Sequence, residues 1–270
     1  MEKKFELIPS DKEGLYRIKA LRDFSDVKSG DIGGYVEKEK NLSHYDNCWI
    51  YDNALVCGKA RVFGNARVCG NAHVYDNAQV CGNAVVCGHA SVSDNAVVRN
   101  NAQVYGNAVV RGNARVCDNA VVRDDAVVRD DAVVRDDAVV RDNANVFGKA
   151  KVYGNAEVYD NCCICDNAEV YGNAEVYGNA EVYGMAEICG NAVVKIIGDY
   201  MVFQNTWSSG RYFTWTLSNN KWKVGCFHNT GEKLIKKAYA DSELSGRAYE
   251  MCVNFVNELL KVKQELEGIE

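Results

Sequence analysis

The pattern of hydrophobic and polar positions repeats every six residues from residue 47 to about residue 196. A small residue recurs without insertion or deletion through Ala192, which gives 25 hexads, and it is Ala everywhere except at Cys48 and Cys162. Val or Ile follows two residues after each small residue. Next come one variable residue and two positions filled mostly by Gly, Asp or Asn. Self-similarity at a fixed period indicates a solenoid.

A period of six differs from the 3.6 of an amphipathic helix and predicts a short extended segment followed by a tight corner. The aliphatic and small residues point inward, and Gly, Asp and Asn form the corner because they tolerate positive φ. Three such sides make a coil of 18 residues, so that residue n stacks on residue n+18 at ~4.8 Å. The sequence therefore predicts an all-β parallel solenoid of about eight coils.

The unit, for example Val68-Cys69-Gly70-Asn71-Ala72-His73, resembles the hexapeptide repeat of left-handed parallel β-helix proteins. The resemblance covers about 150 of the 270 residues and implies a left-handed coil. The preceding stretch ALRDFSDVKSGDIGGYVEKEKNLS is similar to the lead-in of bacterial and phage hexapeptide-repeat proteins that are named as acyltransferases. That resemblance implies transfer of acyl groups from coenzyme A thioesters as one function to weigh.

The segments on either side of the repeat, 1–46 and 197–270, lack the hexad. A solenoid end exposes unpaired backbone and core side chains, so residues 1–46 are expected to form a β cap. The aromatic stretch after the repeat predicts a β-hairpin that turns at Asn219-Asn220. A helix over Glu232 to Ala240 and a second helix after Ser242 complete this module. The second helix carries an apolar stripe of Leu244, Ala248, Met251, Cys252, Phe255, Leu259, Val262 and Leu266.

The net charge is −6, and the solenoid carries most of the excess, with 13 basic and 18 acidic residues. A protein that binds the phosphate backbone would show a basic stripe, so no direct nucleic-acid partner is expected. Most of the twelve cysteines occupy the variable position after Val without a CxxC pairing, which favours a reducing, cytoplasmic compartment. The chain contains neither an apolar h-region nor a run of ~20 apolar residues, so we expect neither a signal peptide nor a membrane span.

The variable position after Val should stand outside, where folding does not demand a particular residue, and so marks candidate binding surfaces. The first candidate surface for a protein partner, or for a second copy of the chain, comprises Tyr153, Tyr159, Tyr171, Tyr177, Tyr183, Glu157, Glu169, Glu175, Glu181 and Glu187. The second comprises Arg123, Arg129, Arg135, Arg141, Asp124, Asp130 and Asp136. Within the first, Tyr153 should stack on Tyr171 and Tyr159 on Tyr177.

The acyltransferases that the repeat resembles use a histidine as general base near a loop extruded from the coils. The candidates here are His73 and His89, both at outward or corner positions, and the unbroken hexads leave no such loop. The hexapeptide-repeat carbonic anhydrase binds zinc through three histidines, two of them close in sequence, a spacing that His73 and His89 do not match. No catalytic residue, metal or cofactor is therefore predicted.

Two other local features could be binding sites, but each also has a simpler structural explanation. Cys163 and Cys165 could hold a soft metal, but drift within the repeat also explains them. The turn Ser208-Ser209-Gly210-Arg211 could cradle an anion or simply enter the hairpin.

The sequence thus predicts a rigid, non-catalytic scaffold that binds a protein partner through its outward columns. A phage- or mobile-element-encoded version would act on a host defence complex, with acidic columns that imitate nucleic-acid phosphates. The alternative is an acyltransferase that uses coenzyme A thioesters.

Overall fold

Each hexad forms a two-residue strand and one tight corner. The structure is a computed structural model that describes residues 3–267 of the chain. The second residue of every short strand is Val or Ile with no exposed surface. In every hexad except the last, the second residue after it has positive φ, for example 66° at Gly70 and 63° at Asp130. Only Gly, Asp and Asn occupy that position, because other side chains are strained in the left-handed region.

The three N-terminal strands are β1 (Phe5–Pro9), β2 (Tyr16–Ala20) and β3 (Ile32–Val36). The 25 short strands are β4 (Trp49–Ile50), β5 (Leu55–Val56), β6 (Arg61–Val62), β7 (Arg67–Val68), β8 (His73–Val74), β9 (Gln79–Val80), β10 (Val85–Val86), β11 (Ser91–Val92), β12 (Val97–Val98), β13 (Gln103–Val104), β14 (Val109–Val110), β15 (Arg115–Val116), β16 (Val121–Val122), β17 (Val127–Val128), β18 (Val133–Val134), β19 (Val139–Val140), β20 (Asn145–Val146), β21 (Lys151–Val152), β22 (Glu157–Val158), β23 (Cys163–Ile164), β24 (Glu169–Val170), β25 (Glu175–Val176), β26 (Glu181–Val182), β27 (Glu187–Ile188) and β28 (Val193–Val194).

The short strands stack into three parallel sheets, one on each side of the coil. Every third strand pairs in register, so that Val128 lies between Val110 and Val146. The 18-residue coil and the uninterrupted stack are confirmed. The stack has about nine turns rather than eight. The reason is that β3 pairs in parallel with β5, and Leu42 makes a parallel bridge to Val62, which adds a turn from the N-terminal segment.

Corner side chains join successive coils outside the core. The carboxylate of Asp94 accepts a hydrogen bond from the amide of Gly112 at 2.9 Å, and other corner aspartates repeat this contact. Asn119 donates from Nδ2 to Oδ1 of Asp137, one coil further on, also at 2.9 Å. The Asn and Asp residues of the repeat therefore satisfy both the turn geometry and the polar groups of the neighbouring coil.

The N-terminal segment closes the first coil, as the sequence predicts. β1, β2 and β3 form an antiparallel extension of one solenoid sheet. Gly34 permits the approach of β3 to the coil, because a Cβ there would lie 2.5 Å from the carbonyl oxygen of Ala54. The buried Lys4 donates from Nζ to the carbonyl of Cys48 at 2.8 Å and lies 3.2 Å from its Sγ. Burial lowers the pKa of this lysine.

The C-terminal module closes the last coil with a four-stranded antiparallel sheet rather than a single hairpin. Its strands are β29 (Tyr200–Gln204), β30 (Tyr212–Thr216), β31 (Lys221–Val224) and β32 (Phe227–Asn229). The predicted Asn219-Asn220 turn joins β30 and β31. Thr214 accepts a hydrogen bond from the amide of Glu187 at 2.9 Å, and Ser218 accepts one from Val193 at 2.7 Å. Side chains of the module thus satisfy amides at the open end of the solenoid.

Two helices, α1 (Gly231–Asp241) and α2 (Glu243–Glu267), cover the other face of this sheet. The predicted apolar stripe of α2 is not its packing face. The helix instead buries Tyr249, Val253 and Val256 against Phe213 and the tryptophans of the sheet. Most of the stripe is exposed, in particular Leu244, Met251, Phe255, Leu259, Val262 and Leu266. No helix within residues 3–267 is long and apolar enough to cross a bilayer.

Candidate interaction surface on the solenoid

The outer surface is built from two positions in each hexad. The first residue of each short strand points outward, and the variable residue after Val lies at the start of the corner. The candidate glutamates occupy the first position and the candidate tyrosines the second. Residues 18 apart stack, and each such row is called a column here.

The predicted tyrosine stacks are confirmed. The rings of Tyr153 and Tyr171 lie 4.7 Å apart at an angle of 4°. Those of Tyr159 and Tyr177 lie 5.0 Å apart at 3°. These separations match the spacing of parallel strands, so the backbone sets the stacking.

The tyrosines of each column donate hydrogen bonds to a neighbouring column of glutamates. The hydroxyl of Tyr153 donates to Glu169 at 2.8 Å, and that of Tyr171 donates to Glu187 at 3.2 Å. Lys151 also donates to Glu169 at 2.8 Å. Burial acts to raise the pKa of Glu169, but the hydrogen bonds from Lys151 and Tyr153 outweigh it and lower the pKa. Burial and the contact with Glu169 raise the pKa of Tyr153.

The ten residues of the first candidate surface do not form one site, because they lie on three sides of the coil. Glu169 and Glu187 belong to the eight-stranded sheet, Glu157 and Glu175 to the nine-stranded sheet, and Glu181 to the third sheet. Their tyrosines follow at three different corners. Tyr183, which is 45% exposed, stacks on Cys165 in register rather than on another tyrosine.

The structure instead joins parts of the two candidate surfaces. The guanidinium of Arg141 lies 3.9 Å from the ring centre of Tyr159, and that of Arg135 lies 4.3 Å from the ring centre of Tyr153. Arg129 lies 4.1 Å from the ring centre of Phe147. These cation–π contacts continue the tyrosine columns into the arginine columns. Phe147 is a member of this surface that the sequence analysis missed.

Two continuous faces result. The Tyr159 face consists of Arg141, Tyr159, Tyr177, Glu157 and Glu175. The Tyr171 face consists of Arg135, Tyr153, Tyr171, Glu169 and Glu187.

The two faces differ in how open they are. On the Tyr159 face both glutamates are exposed. The hydroxyl of Tyr159 lies 3.4 Å from Glu175, which is the longest of the tyrosine–glutamate hydrogen bonds. On the Tyr171 face both glutamates are half-buried. Lys223 of the C-terminal sheet lies 3.7 Å from Glu187 there. The Tyr159 face therefore has more surface free for a partner.

Each arginine of the second candidate surface pairs with the aspartate that follows it. The distances are 2.8 Å for Arg123–Asp124, 2.9 Å for Arg129–Asp130, 2.8 Å for Arg135–Asp136 and 2.6 Å for Arg141–Asp142. The sequence analysis did not include Asp142. These pairs compensate the like charges that stack along the arginine columns.

The structure places both catalytic candidates on the outer surface of the solenoid. His73 is exposed on β8, and His89 is exposed at a corner. Neither lines the cleft at the N-terminal end of the solenoid or the small cavity beside α1. The short strands follow one another without an extruded loop.

The two remaining local features lie on the outside of a coil and in the turn before β30. Cys163 and Cys165 are half-buried, and residues 3–267 contain no cluster of three His, Cys, Asp or Glu side chains suited to a metal. In the turn before β30, Asn205 accepts hydrogen bonds from the amide and hydroxyl of Ser208 at 2.9 and 3.0 Å. This turn lines a cavity of about 250 Å³, and the charged residues of its lining are Arg211, Lys237 and Asp241.

Comparison with known proteins supports the fold. A family described as YdcK Beta solenoid repeat matches residues 60–76 and 102–117. Both segments lie within the stacked coils. No curated protein matches the chain. These findings support a β-solenoid and give no support to the resemblance to acyltransferases.

Proposed function

We propose that this chain is a rigid, non-catalytic scaffold that binds a protein partner through the Tyr159 face. The observation that carries the proposal is the continuous column of Arg141, Tyr159 and Tyr177. Arginine and tyrosine are the residue types most enriched among side chains that dominate binding energy. Here they stand together on an open face next to two exposed glutamates.

Rigidity favours binding at this face. Arg141 is held by Asp142 at 2.6 Å and by Glu157 at 3.7 Å, while its guanidinium covers Tyr159. Tyr159 is in turn fixed against Tyr177. Side chains that are already ordered lose little conformational entropy when a partner binds, so more of the contact energy appears as affinity.

The charge of the Tyr159 face indicates the charge expected on the binding surface of the partner. Glu157, Glu175, Asp142 and Asp160 surround Arg141, Tyr159 and Tyr177, and they outnumber the cations of the column, which are Arg141 and its neighbours Arg123 and Lys195. An acidic aromatic surface complements a protein patch that carries lysine or arginine. We therefore infer a partner with a basic patch.

The test is affinity capture from the organism that encodes the chain, followed by calorimetric titration of the captured protein. Tyr159→Ser/Tyr177→Ser should weaken its binding by about one to three kcal/mol, roughly fivefold to 150-fold. High salt should weaken binding by the parent chain.

Tyr105→Ser is the matched control, because Tyr105 occupies the same column three coils away and is also half-buried. It should bind the partner like the parent. The proposal is wrong if the double variant keeps the parent's affinity while folded, or if Tyr105→Ser loses as much.

A host defence complex is the partner class suggested by the resemblance to phage proteins, and the captured protein identifies it directly. Imitation of nucleic acid has weaker physical support. Each of the four arginines in the middle coils neutralises its neighbouring aspartate, which lowers the negative potential that such imitation needs.

We also propose that a second copy of the chain pairs with the exposed stripe of α2. Its six large apolar side chains are 40–72% exposed. They recur at spacings of seven, four, four, three and four residues over a helix about 37 Å long, which is the pattern of a coiled-coil seam. Burying the stripes of two copies removes roughly 1,000 Å² from water, about the lower limit for a specific interface.

Sedimentation velocity tests this pairing. The parent should sediment as a dimer at micromolar concentrations, and Met251→Glu/Phe255→Glu should sediment as a monomer. Asn254→Glu/Asn257→Glu adds the same charge at exposed polar positions of α2 and should remain dimeric. A monomeric parent would overturn the pairing, as would a dimer that survives the first double substitution.

A further inference from the structure

A cleft of about 610 Å³ opens at the N-terminal end of the solenoid, between residues 38–45 and residues 59–63. It lies beside β6, the first strand of the eight-stranded sheet. Within residues 3–267, no full strand pairs with the outer edge of β6, and residues 38–45 fill only part of the space that a complete preceding coil would occupy. The cleft is far from the Tyr159 face and is independent of the proposed function.

The backbone edge within the cleft is already satisfied. The side chain of Asn41 donates from Nδ2 to the carbonyl of Ala60 at 2.9 Å and to that of Gly58 at 3.3 Å. The amide of Ser43 donates to the carbonyl of Val62 at 2.9 Å. These contacts replace a neighbouring strand. A ligand in the cleft is therefore recognised by side chains and not by addition of a β-strand.

The lining is positively charged although the protein is acidic. Lys38, Lys40, Lys59 and Arg61 face a single carboxylate, that of Glu39. Within residues 3–267, Lys40, Lys59 and Arg61 make no ion pair. Lys38 lies 3.3 Å from Glu37.

Glu39 is neutralised from within the cap. It accepts hydrogen bonds from Lys3 at 2.8 Å and from Nε2 of His44 at 2.9 Å. The amide of Lys4 donates to Nδ1 of His44, which fixes the tautomer that donates to Glu39. Hydrogen bonds from Lys3 and His44 lower the pKa of Glu39. The carboxylate of Glu39 is thus already paired within the cap, and the side chains of Lys40, Lys59 and Arg61 remain available to a ligand.

The cleft also has an apolar wall. Phe63 and the 60% exposed Tyr45 provide rings at its sides, and the buried Leu42 and Val62 form its floor with Ala60. The guanidinium of Arg61 lies 5.8 Å from the ring centre of Phe63. The cleft volume falls within the range of roughly 300–1,000 Å³ that is typical of small-molecule sites.

We propose that this cleft binds a small organic anion that has an apolar, preferably aromatic, body. Lys59 and Arg61 hold the anionic group, and Phe63 and Tyr45 contact the body. A sulfonate, a carboxylate or a phosphate would serve as the anionic group, because each offers several acceptor oxygens to lysine and arginine donors. The volume favours such a molecule over a folded acidic protein.

The probe for the test is 1-anilinonaphthalene-8-sulfonate, which has an aromatic body and one sulfonate and fluoresces when it leaves water. It should bind the full chain saturably at one cleft site. Lys59→Ala/Arg61→Ala should weaken that binding about tenfold or more, since hydrogen bonds to charged groups are among the stronger polar contacts. Lys40→Glu, on the opposite wall, should weaken it as well.

Arg115→Ala is the matched control, because Arg115 has the same outward position in the same column as Arg61, three coils on. It should leave the affinity unchanged. N-phenyl-1-naphthylamine, which lacks the sulfonate, should bind about tenfold more weakly than the sulfonate probe. The proposal is overturned if the double variant binds the sulfonate probe like the parent, if the uncharged probe binds equally well, or if no saturable binding occurs.

Discussion

The inward and outward assignment of the repeat can be tested within a single strand. β17 consists of Val127 and Val128, two residues of the same type in the middle of the stack. Val128 has no exposed surface and lies between Val110 and Val146. Val127 points outward and is half-buried. Val128→Ala and Val127→Ala therefore remove the same two methyl groups from opposite sides of one backbone.

The difference in cost follows from burial. Moving two methyl groups out of a dry core costs about 0.8 kcal/mol each by transfer alone. The coils above and below fix the backbone, so the space left by Val128→Ala collapses only in part and adds a cavity term. Val128→Ala should therefore lower the free energy of unfolding by about 2–3 kcal/mol. Val127→Ala removes only contacts with neighbours on the outer face and should cost at most about 1 kcal/mol.

Urea unfolding followed by circular dichroism measures both variants against the parent. Comparison of midpoints is valid if the slope of the transition stays constant, since the slope reports the surface exposed on unfolding. A central coil is the right site, because a terminal coil of a solenoid can fray separately. If Val127→Ala shifts the midpoint as far as Val128→Ala, the assignment of faces is refuted.

Three further predictions concern the ends of the stack and its titration. Gly34→Ala should destabilise the cap by about 1–3 kcal/mol in the same urea assay. The added Cβ would lie 2.5 Å from the carbonyl oxygen of Ala54 and 2.5 Å from the side chain of Ile50. An unchanged midpoint would contradict this close approach. Lys4→Met should lower the free energy of unfolding by about 1–3 kcal/mol, since it leaves the buried carbonyl of Cys48 without its donor. A variant as stable as the parent would show that water or the thiol replaces the ammonium as donor. Burial raises the pKa of Cys69 to about 12, from an ordinary value of 9.0. The folded chain holds this proton more tightly than the unfolded chain, so the stabilisation is complete below pH 9 and is lost as the pH rises toward 12. Melting temperatures measured from pH 8 to pH 10.5 should therefore fall, and Cys69→Ala should reduce the slope.

The sequence by itself determined the solenoid. Each inward Val and each Gly, Asp or Asn corner is a local requirement that repeats, so a single unit specifies the coil. The count of units specifies the coils that the hexads form, but not the additional turn from the N-terminal segment. The same logic predicted that Tyr153 would stack on Tyr171, because residues 18 apart must meet in an 18-residue coil. The caps were predictable in kind, since an open end of the stack needs cover. The Asn219-Asn220 hairpin turn followed from local turn chemistry.

Tertiary structure decided which outer columns stay open to a partner. The 18-residue coil already places Tyr159 and Tyr171 on different sides, but only the structure shows that Lys223 of the C-terminal sheet approaches Glu187 on the Tyr171 face. The same spacing places Arg141 beside Tyr159, and the structure adds that the guanidinium lies 3.9 Å from the ring centre.

The same holds at both ends of the chain. The apolar stripe of α2 satisfies helical periodicity, yet the ring cluster around Phe213 selects Tyr249 and Val253 as the packing face. The N-terminal cleft arises because Asn41 replaces a strand with one side chain. Such choices depend on the shape of the partner surface, which distant parts of the chain supply, and periodicity alone does not encode that shape.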